Sequence, residues 1–252
     1  MTTVRFTDHF GTLAAGYAAH RPTYPGALFV WLAAQAPARE RAWDCATGSG
    51  QAAVALADHF AEVVATDASA DQIAHARPHP RVRYAVAPAE ASGLERGAFD
   101  LVTVAQALHW FDRPAFYAEV ERVLKPGGLL AVWMYNFLVV AAGVDRVVEH
   151  FYRDVLGPYW AFERKHVEEG YASMTFPMEP VEPPAFEMEA RWTLDDLVGY
   201  LSTWSALKTC RAQTGSDPLP GVAEALAEVW GDPGERRAIR WPLALYVRRK
   251  PA

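Results

Sequence analysis

Residues Asp44 to Gln51 form a glycine-containing turn, Asp-Cys-Ala-Thr-Gly-Ser-Gly-Gln, which follows an apolar run and precedes a helical pattern. Gly48 and Gly50 allow a tight turn and a close approach of the backbone to a ligand, because neither carries a side chain. The first turn of the following helix leaves backbone N–H groups free to meet such a ligand. A strand, a glycine loop and a helix in this order predict a cofactor site on a parallel α/β sheet.

An acidic residue follows at the position where a ribose would be bound. Asp67 ends a second apolar run, 19 positions after Gly48, and a carboxylate there can accept hydrogen bonds from ribose hydroxyls. The pattern Gly48-x-Gly50-x-x-Ala53 followed by Asp67 also fits the dinucleotide fingerprint. The local spacing therefore leaves NAD open beside other adenosyl cofactors, and a glycine turn without any cofactor is a third interpretation.

Short apolar runs alternate with helical patterns through the first half of the chain, which is typical of βαβ units around a parallel sheet. The predicted strands are residues 41–46, 62–66, 82–86, 99–105 and 129–135. The predicted helices are residues 51–60, residues 69–77 and a helix from Asp112 that ends at Lys125-Pro126-Gly127-Gly128. Ser69 and Gln72 have capping-box spacing, so Gln72 has a helix cap as an alternative to a cofactor contact.

Residues 136–184 are rich in aromatic side chains and predict a small helical cap inserted in the domain. The prolines near its end predict a linker. A strand is then predicted over 186–192, helices over 194–207 and 222–230, and a last strand over 241–249. The 252 residues fit a single α/β domain, in which residues 1–40 form an N-terminal helical flap.

The amino-acid composition limits which partners we expect the protein to bind and in which compartment we expect it to work. A net charge of −6 without a basic run argues against a nucleic-acid partner. No apolar stretch has the length of a membrane span, and residues 1–11 lack the apolar core of a secretory signal. Cys45 and Cys210 are too few for a disulfide framework and suit a reducing compartment, so we expect a cytoplasmic protein. Neither HExxH nor CxxC occurs, and we predict no metal site.

Four ordered segments resemble the motifs of the class I S-adenosylmethionine-dependent methyltransferases. They are Asp44–Gln51, Val64–Ser69, Phe99–Val102 and Leu124–Gly128. Four motifs in order are far more specific than one glycine turn, and they favour S-adenosylmethionine over NAD. The resemblance implies an enzyme that transfers a methyl group from this cofactor to a small-molecule acceptor.

A narrower likeness is to the methyltransferase type 11 proteins similar to trans-aconitate methyltransferase. It rests on Tyr17-x-x-x-Arg21-Pro22-x-Tyr24-Pro25, on Gln106–Phe111 and on Tyr200–Ser205. It spans most of the chain and implies an α/β, Rossmann-like fold. The expected sheet has seven mostly parallel strands with helices on both faces, and its last strand is antiparallel.

The resemblance also implies which residues contact the cofactor. In chain order these are Tyr17, Arg21, Asp44, Thr47, Gly48, Ser49, Gly50, Asp67, Ala68, Gln72, Ala89, Glu90, Ala105 and Gln106. The glycine loop is expected beside methionine and ribose, Asp67 on the ribose hydroxyls, and Ala68 on adenine. Tyr17, Arg21 and Tyr24 are expected in a flap over the site. Pro88 departs from the family pattern, because it has neither a backbone donor nor a polar side chain.

His109 is the candidate catalytic residue. A carboxylate acceptor is already ionised at neutral pH, whereas a hydroxyl benefits from a general base, and His109 lies where parallel strands bind ligands. A buried histidine that only packs is the alternative. Four basic residues are candidates for binding a polycarboxylate, namely Arg164, Lys165, Lys208 and Arg211. An NAD-dependent oxidoreductase and a non-catalytic cofactor-binding protein are the competing functions.

Overall fold

The computed structural model describes residues 22–252. Those residues contain eight strands, which are β1 (Arg41–Cys45), β2 (Glu62–Asp67), β3 (Val82–Val86), β4 (Phe99–Ala105), β5 (Leu124–Tyr135), β6 (Glu179–Val181), β7 (Glu187–Trp192) and β8 (Arg237–Arg249). The same residues contain nine α-helices, which are α1 (Gly26–Gln35), α2 (Gln51–Leu56), α3 (Ala70–Ala74), α4 (Arg113–Val123), α5 (Ala142–His150), α6 (Arg164–Glu168), α7 (Leu194–Ser202), α8 (Ser205–Thr214) and α9 (Leu219–Trp230).

The sheet has the order β3-β2-β1-β4-β5-β8-β6. Strands β1 to β5 are parallel, and β8 is antiparallel to β5, as the sequence predicted. The order reverses between β1 and β4, so the carboxyl ends of these two strands form the crevice in which such sheets bind ligands. The glycine loop and residues 106–109 both leave the sheet at this point.

The long last strand explains why the sheet has one strand more than expected. The second half of β8 pairs with β5, through Leu243 to Arg249, while its first half pairs with β7, through Arg237 to Pro242. Strand β7 therefore extends the sheet beyond the seven-strand path.

Two elements differ from the sequence prediction. The short strand β6 lies inside the predicted proline linker and pairs with the end of β8. It is an edge strand, where Pro180 is tolerated because one side of the strand needs no donor. The helix predicted over 194–207 is two helices, because Trp204 has an extended backbone (φ −67°, ψ 130°) and interrupts it.

Three buried clusters hold these elements together. Helix α1 buries Leu28, Phe29 and Leu32 with the apolar side of α2 on one face of the sheet. Helix α4 covers the other face with Phe116 and its neighbours. The third cluster packs α5 and α7 to α9 around the fully buried Trp230 and Trp241, so the second half of the chain has a core of its own.

Candidate active site

The loop after β1 has a backbone that only a glycine-rich sequence can follow. Ala46, Gly48 and Gly50 all have positive φ, of 54°, 52° and 79°. A Cβ on Gly50 would overlap the hydroxyl oxygen of Tyr84 and lie 3.0 Å from its Cζ. Glycine at position 50 therefore permits both the left-handed turn and the close contact with β3.

Asp67 connects this loop to the end of β2. Its Oδ2 accepts the backbone N–H of Gly48 and its Oδ1 accepts that of Ser69, each at 2.9 Å. Ala68 is exposed beside it. Asp67 is half-buried, and an ionised carboxylate is an acceptor at both of its oxygens.

The backbone N–H of Gln72 takes part in the helix cap, and its side chain lies near the glycine loop. Its N–H donates to Ser69 Oγ at 3.3 Å, and this is the cap that the spacing predicted. A Cβ on Gly48 would lie 3.8 Å from Gln72 Oε1. The cap and a cofactor contact, which the sequence left as alternatives, are therefore compatible.

Asp44 is buried under the loop. Its carboxylate accepts hydrogen bonds from Thr47 Oγ1 at 2.6 Å and from Thr103 Oγ1 at 2.7 Å. Burial raises the pKa of Asp44 to about 6, although both hydroxyls and the N–H of Ala53 work in the opposite direction. Asp44 thus holds Thr47 and anchors the loop to β1 and β4, while Ser49 at its tip is exposed.

The loop after β3 brings Ala89 and Glu90 to the same edge of the sheet. Ala89 is buried and Glu90 is half-buried, and Glu90 Oε1 accepts the backbone N–H of Asp112 at 2.9 Å. Pro88 is exposed. Glu90 therefore has a structural contact at the start of α4 in addition to its expected place near adenine.

Gln106 ends β4 in a strained conformation. Its φ is 61°, which is uncommon for a residue with a side chain. Its backbone N–H donates to Trp133 O and its Nε2 donates to Tyr135 O, each at 2.9 Å. These two bonds to β5 hold the turn, which places the half-buried Ala105 and Gln106 at the crevice.

A cavity of about 400 Å³ opens beside Gln106 and His109. Its walls come from the ends of β4 and β5 and from the helical segments of the second half of the chain. The lining residues are Gln106, His109, Trp110, Tyr135, Asn136, Phe137, Leu138, Val148, Tyr152, Pro158, Tyr159, Trp160, Ala161, Arg164, Tyr200, Thr203, Trp204, Ser205, Thr209 and Gln213. Aromatic rings dominate this wall, and Arg164 is its one cationic side chain among the described residues.

The structure distinguishes among the four basic candidates. Arg164 lines the cavity, whereas Arg211 pairs with Asp217 at 2.8 Å and Lys165 lies 3.8 Å from Glu169, both on the surface. Lys208 is exposed and does not line the cavity. Only Arg164 is placed to meet a bound acceptor.

Neutral groups hold the Arg164 side chain in place. Its guanidinium lies 4.7 Å from the ring centre of Trp160, and its Nε donates to Tyr152 Oη at 2.8 Å. It also donates to Asn136 Oδ1 at 3.4 Å. In residues 22–252 Arg164 has no direct ion pair, and the carboxylate of Glu168 reaches it only through the hydroxyl of Tyr152, which donates to Glu168 Oε1 at 2.9 Å.

His109 lines the cavity but does not have the acid–base properties expected of it. Burial lowers its pKa from 6.5 to about 3, and the charges of Arg164 and His166 act in the same direction. Its Nδ1 lies 2.7 Å from Tyr171 Oη. A pKa of about 3 makes neutral His109 a weak base, which argues against the general-base role that the sequence suggested.

Sequence reasoning did not identify Tyr152, Trp160 or Tyr171 as functional candidates. The aromatic content of residues 136–184 was a signal for a lining, but it did not indicate which rings face the cavity. The contact between His109 and Tyr171 joins residues 62 positions apart, and no local pattern predicts it.

The remaining expectations concern the N-terminal flap, a metal site and a membrane span. Tyr17 and Arg21 lie outside the described residues. Tyr24 packs edge-on against Trp133, with ring centres 5.4 Å apart. Residues 22–252 contain no cluster of three or more His, Cys, Asp or Glu side chains suited to a metal ion. No helix in that range is long and apolar enough to cross a membrane.

Comparison with known proteins agrees with this geometry. Residues 43–132 match the family model described as a methyltransferase domain. A protein of Dictyostelium discoideum, provisionally assigned as a methyltransferase, is 33% identical over 233 residues, which cover 91% of this chain and 89% of that protein. An uncharacterized methyltransferase of Mycobacterium tuberculosis is 35% identical over 126 residues, and the match spans 49% of this chain and 51% of that protein.

A solved structure has the same fold over nearly its whole length. It is a protein of Anaeromyxobacter dehalogenans provisionally assigned as a type II methyltransferase, with 46% identity and a TM-score of 0.88. The alignment covers 92% of this chain and 99% of that one. The strand order, the glycine loop with its acidic partner and these relatives lead to one conclusion: the chain belongs to the class I S-adenosylmethionine-dependent methyltransferases.

Proposed function

We propose that this enzyme methylates a small carboxylic acid bound in the aromatic cavity, and that the predicted cofactor residues hold S-adenosylmethionine at the adjoining edge of the sheet. The glycine loop, Asp67 and Gln106 lie at the carboxyl ends of β1, β2 and β4, and Gln106 also lines the cavity. The proposal places the cofactor against the loop and the acceptor beyond Gln106.

The residues at the sheet edge fit such a cofactor. Asp67 is an acceptor-only carboxylate at the end of β2, the group that ribose hydroxyls require, and Ala68 is a small exposed surface for an adenine ring. The positive φ of Gly48 and the gap towards Gln72 leave room close to the backbone. Ala89, Glu90 and Ala105 complete this edge, and we infer that Tyr17 and Arg21 belong to a flap over it.

When bound, S-adenosylmethionine supplies a methyl group attached to a positively charged sulfur. A nucleophile takes this methyl group while the bond between the methyl carbon and the sulfur breaks. The protein's contribution is alignment and exclusion of water, which can lower the barrier by several kcal/mol. Gln106 holds the turn beside the methyl group, and the cavity wall holds the acceptor. We propose that residues 136–184 act as the cap that encloses it.

The observation that carries the choice of acceptor is the composition of the cavity wall. Among its described residues there is no Asp, Glu, Lys or Cys, and the one histidine, His109, has a pKa lowered to about 3. A hydroxyl acceptor would need a base to take its proton. A carboxylate is ionised without one, because its ordinary pKa lies near 4.

Arg164 supports the same choice. It is a cation that already lies on the cavity wall, held by Trp160 and Tyr152 and not paired with a described carboxylate. A planar guanidinium can bind a carboxylate through two parallel hydrogen bonds. The rings of Trp160 and Trp204, whose centres are 5.7 Å apart, make the cavity wall near Arg164 apolar, which suits an apolar body attached to the acid group.

Cofactor binding is tested by calorimetry on the purified protein. S-adenosylmethionine and S-adenosylhomocysteine should both bind, and NAD should give no heat of binding. NAD binding without S-adenosylmethionine binding would favour the oxidoreductase instead.

Cys45 and Cys210 are free thiols, and on that basis we infer a reducing, cytoplasmic compartment.

A further inference from the structure

A buried hydrogen bond joins the turn after β4 to the segment after α6. His109 Nδ1 and Tyr171 Oη are 2.7 Å apart, and Tyr171 is fully buried. Tyr171 has a φ of 61°, a conformation that is uncommon for a residue with a side chain. Its surroundings therefore determine where the phenol lies.

The position of the hydroxyl hydrogen follows from the groups around the Tyr171 oxygen. Burial raises the pKa of Tyr171, so the phenol stays protonated. Among the described residues the Tyr171 hydroxyl has one hydrogen-bond partner, His109 Nδ1. If Nδ1 carried a proton, it would donate to Tyr171 Oη and the buried phenol hydrogen would have no acceptor, so the phenol donates to an unprotonated Nδ1.

We propose that Tyr171 fixes His109 as the tautomer protonated on Nε2, so that His109 presents a permanent N–H donor to the acceptor and does not act as a base. Tyr171 is then a positioning residue that acts through His109. The second ring nitrogen, Nε2, is the one left to the cavity that His109 lines.

The charges around His109 keep the ring neutral. Arg164 and His166 from α6 both disfavour a proton on it, in addition to the effect of burial. An imidazolium would also have to donate Nδ1–H to Tyr171 Oη, which would leave the buried phenol hydrogen without an acceptor among the described residues. The donor on Nε2 therefore stays the same across the physiological pH range.

The consequence for the reaction rests on the proposed function. A carboxylate held by Arg164 has a second oxygen, and a neutral N–H on the wall of the same cavity can orient it towards the methyl group without removing its charge. His109 would then contribute through alignment of the acceptor. The proton on Nε2, by contrast, is a property of the free enzyme and can be measured without any acceptor.

The first test is nitrogen-15 NMR of the imidazole rings in the free, uniformly labelled protein. The chain has eight histidines, and the resonances absent from His109→Gln identify His109. We expect a protonated-type shift for Nε2 and an unprotonated-type shift for Nδ1, unchanged from pH 5 to pH 8. A proton on Nδ1, or titration in this range, would overturn the proposal.

Substitution of the phenol tests the role of Tyr171. In Tyr171→Phe the two His109 nitrogens should show mixed tautomers or a pKa that moves up into the measured range. Tyr246→Phe is the matched control, because its hydroxyl bonds the neighbouring Gly170 O at 2.7 Å and does not contact His109. If the His109 shifts are the same in Tyr171→Phe and wild type, Tyr171 does not set the tautomer.

Kinetics with a methylated acid separate the two ring nitrogens. The amide nitrogen of Gln can replace Nε2–H, whereas that of Asn replaces the Nδ1 position. His109→Gln should therefore keep kcat/KM roughly tenfold above that of His109→Asn, the size of one neutral hydrogen bond. Equal activity of the two variants, or higher activity of His109→Asn, would contradict a donor on Nε2. Absence of any methylated acid would refute the proposed function and leave the NMR result to decide this one.

Discussion

Asp67 Oδ2 accepts the backbone N–H of Gly48 at 2.9 Å, so the acidic residue at the end of β2 also holds the glycine loop that follows β1. The same carboxylate is proposed to bind the ribose. One side chain thus couples the shape of the loop to recognition of the cofactor.

Asp67→Ala removes both the acceptor for ribose and the support of the loop. We expect the affinity for S-adenosylmethionine to fall by about 1.5–3 kcal/mol, as for hydrogen bonds to charged groups. Calorimetry measures it, with Asp71→Ala in the first turn of α3 as a control that keeps the loop contacts. Wild-type affinity in a folded Asp67→Ala protein would remove Asp67 from the site.

Gly50→Ala should destabilise the fold as well as weaken cofactor binding. The new methyl group would overlap Tyr84 and occupy a left-handed conformation, so we expect a loss of about 1–3 kcal/mol in the free energy of unfolding. Gly26→Ala is the control, because no atom lies within 4 Å of its Cβ position. Urea denaturation should show this loss for Gly50→Ala and not for Gly26→Ala. When Tyr84→Ala is combined with Gly50→Ala, the total loss in the free energy of unfolding should be smaller than the sum of the two single losses.

Arg164→Gln should impair the use of acids specifically. Loss of a charge-assisted contact predicts a fall of about 10- to 100-fold in kcat/KM for the acid, with little change in cofactor affinity. Arg164→Lys should lie between Gln and wild type, since an ammonium lacks the planar fork of a guanidinium. Arg211→Gln, which breaks only the surface pair with Asp217, should behave as wild type. Equal losses in both positions would argue against a role for Arg164 in binding.

His109 also predicts how stability depends on pH. Its folded pKa of about 3 lies below its ordinary value of 6.5, so between these values the unfolded chain binds the proton more readily. Stability contributed by neutral His109 is therefore present above 6.5 and is lost as the pH falls towards 3. Asp44, raised from 3.8 to about 6, works in the opposite direction between those values.

The variant His109→Gln separates these two contributions, because Asp44 remains in it. Thermal denaturation from pH 7 to pH 4 should show a smaller loss of stability in His109→Gln than in wild type, where Arg164, His166 and Tyr171 face the ring. An identical pH dependence in both proteins would show that the pKa of His109 is not lowered by folding.

Much of the sheet could be predicted from the sequence because parallel strands are buried on both faces and appear as apolar runs. Strands β3 and β4 have the predicted bounds. Strand β6 could not be predicted, since three residues in a proline-rich segment become a strand only through pairing with β8. The break at Trp204 could not be predicted either, because the residues on both sides of it have helical patterns.

Only part of the candidate site could be predicted from the sequence. The loop residues and Asp67 were predicted because they lie within a short ordered motif. The choice of Arg164 over Arg211 required three-dimensional contacts, as did the link between His109 and Tyr171. The lowered pKa of His109 depends on burial and on two charges from α6, neither of which a sequence motif records.

The most direct test of the central claim is methyl transfer from labelled S-adenosylmethionine to a panel of flat carboxylic acids and their alcohol, phenol and amine analogues. The account predicts that label appears in an acid as a methyl ester, which alkali hydrolyses to release labelled methanol. It also predicts that this transfer falls by about 10- to 100-fold in Arg164→Gln and is unchanged in Arg211→Gln. Label found only in an alcohol, phenol or amine, in a product stable to alkali, would contradict it.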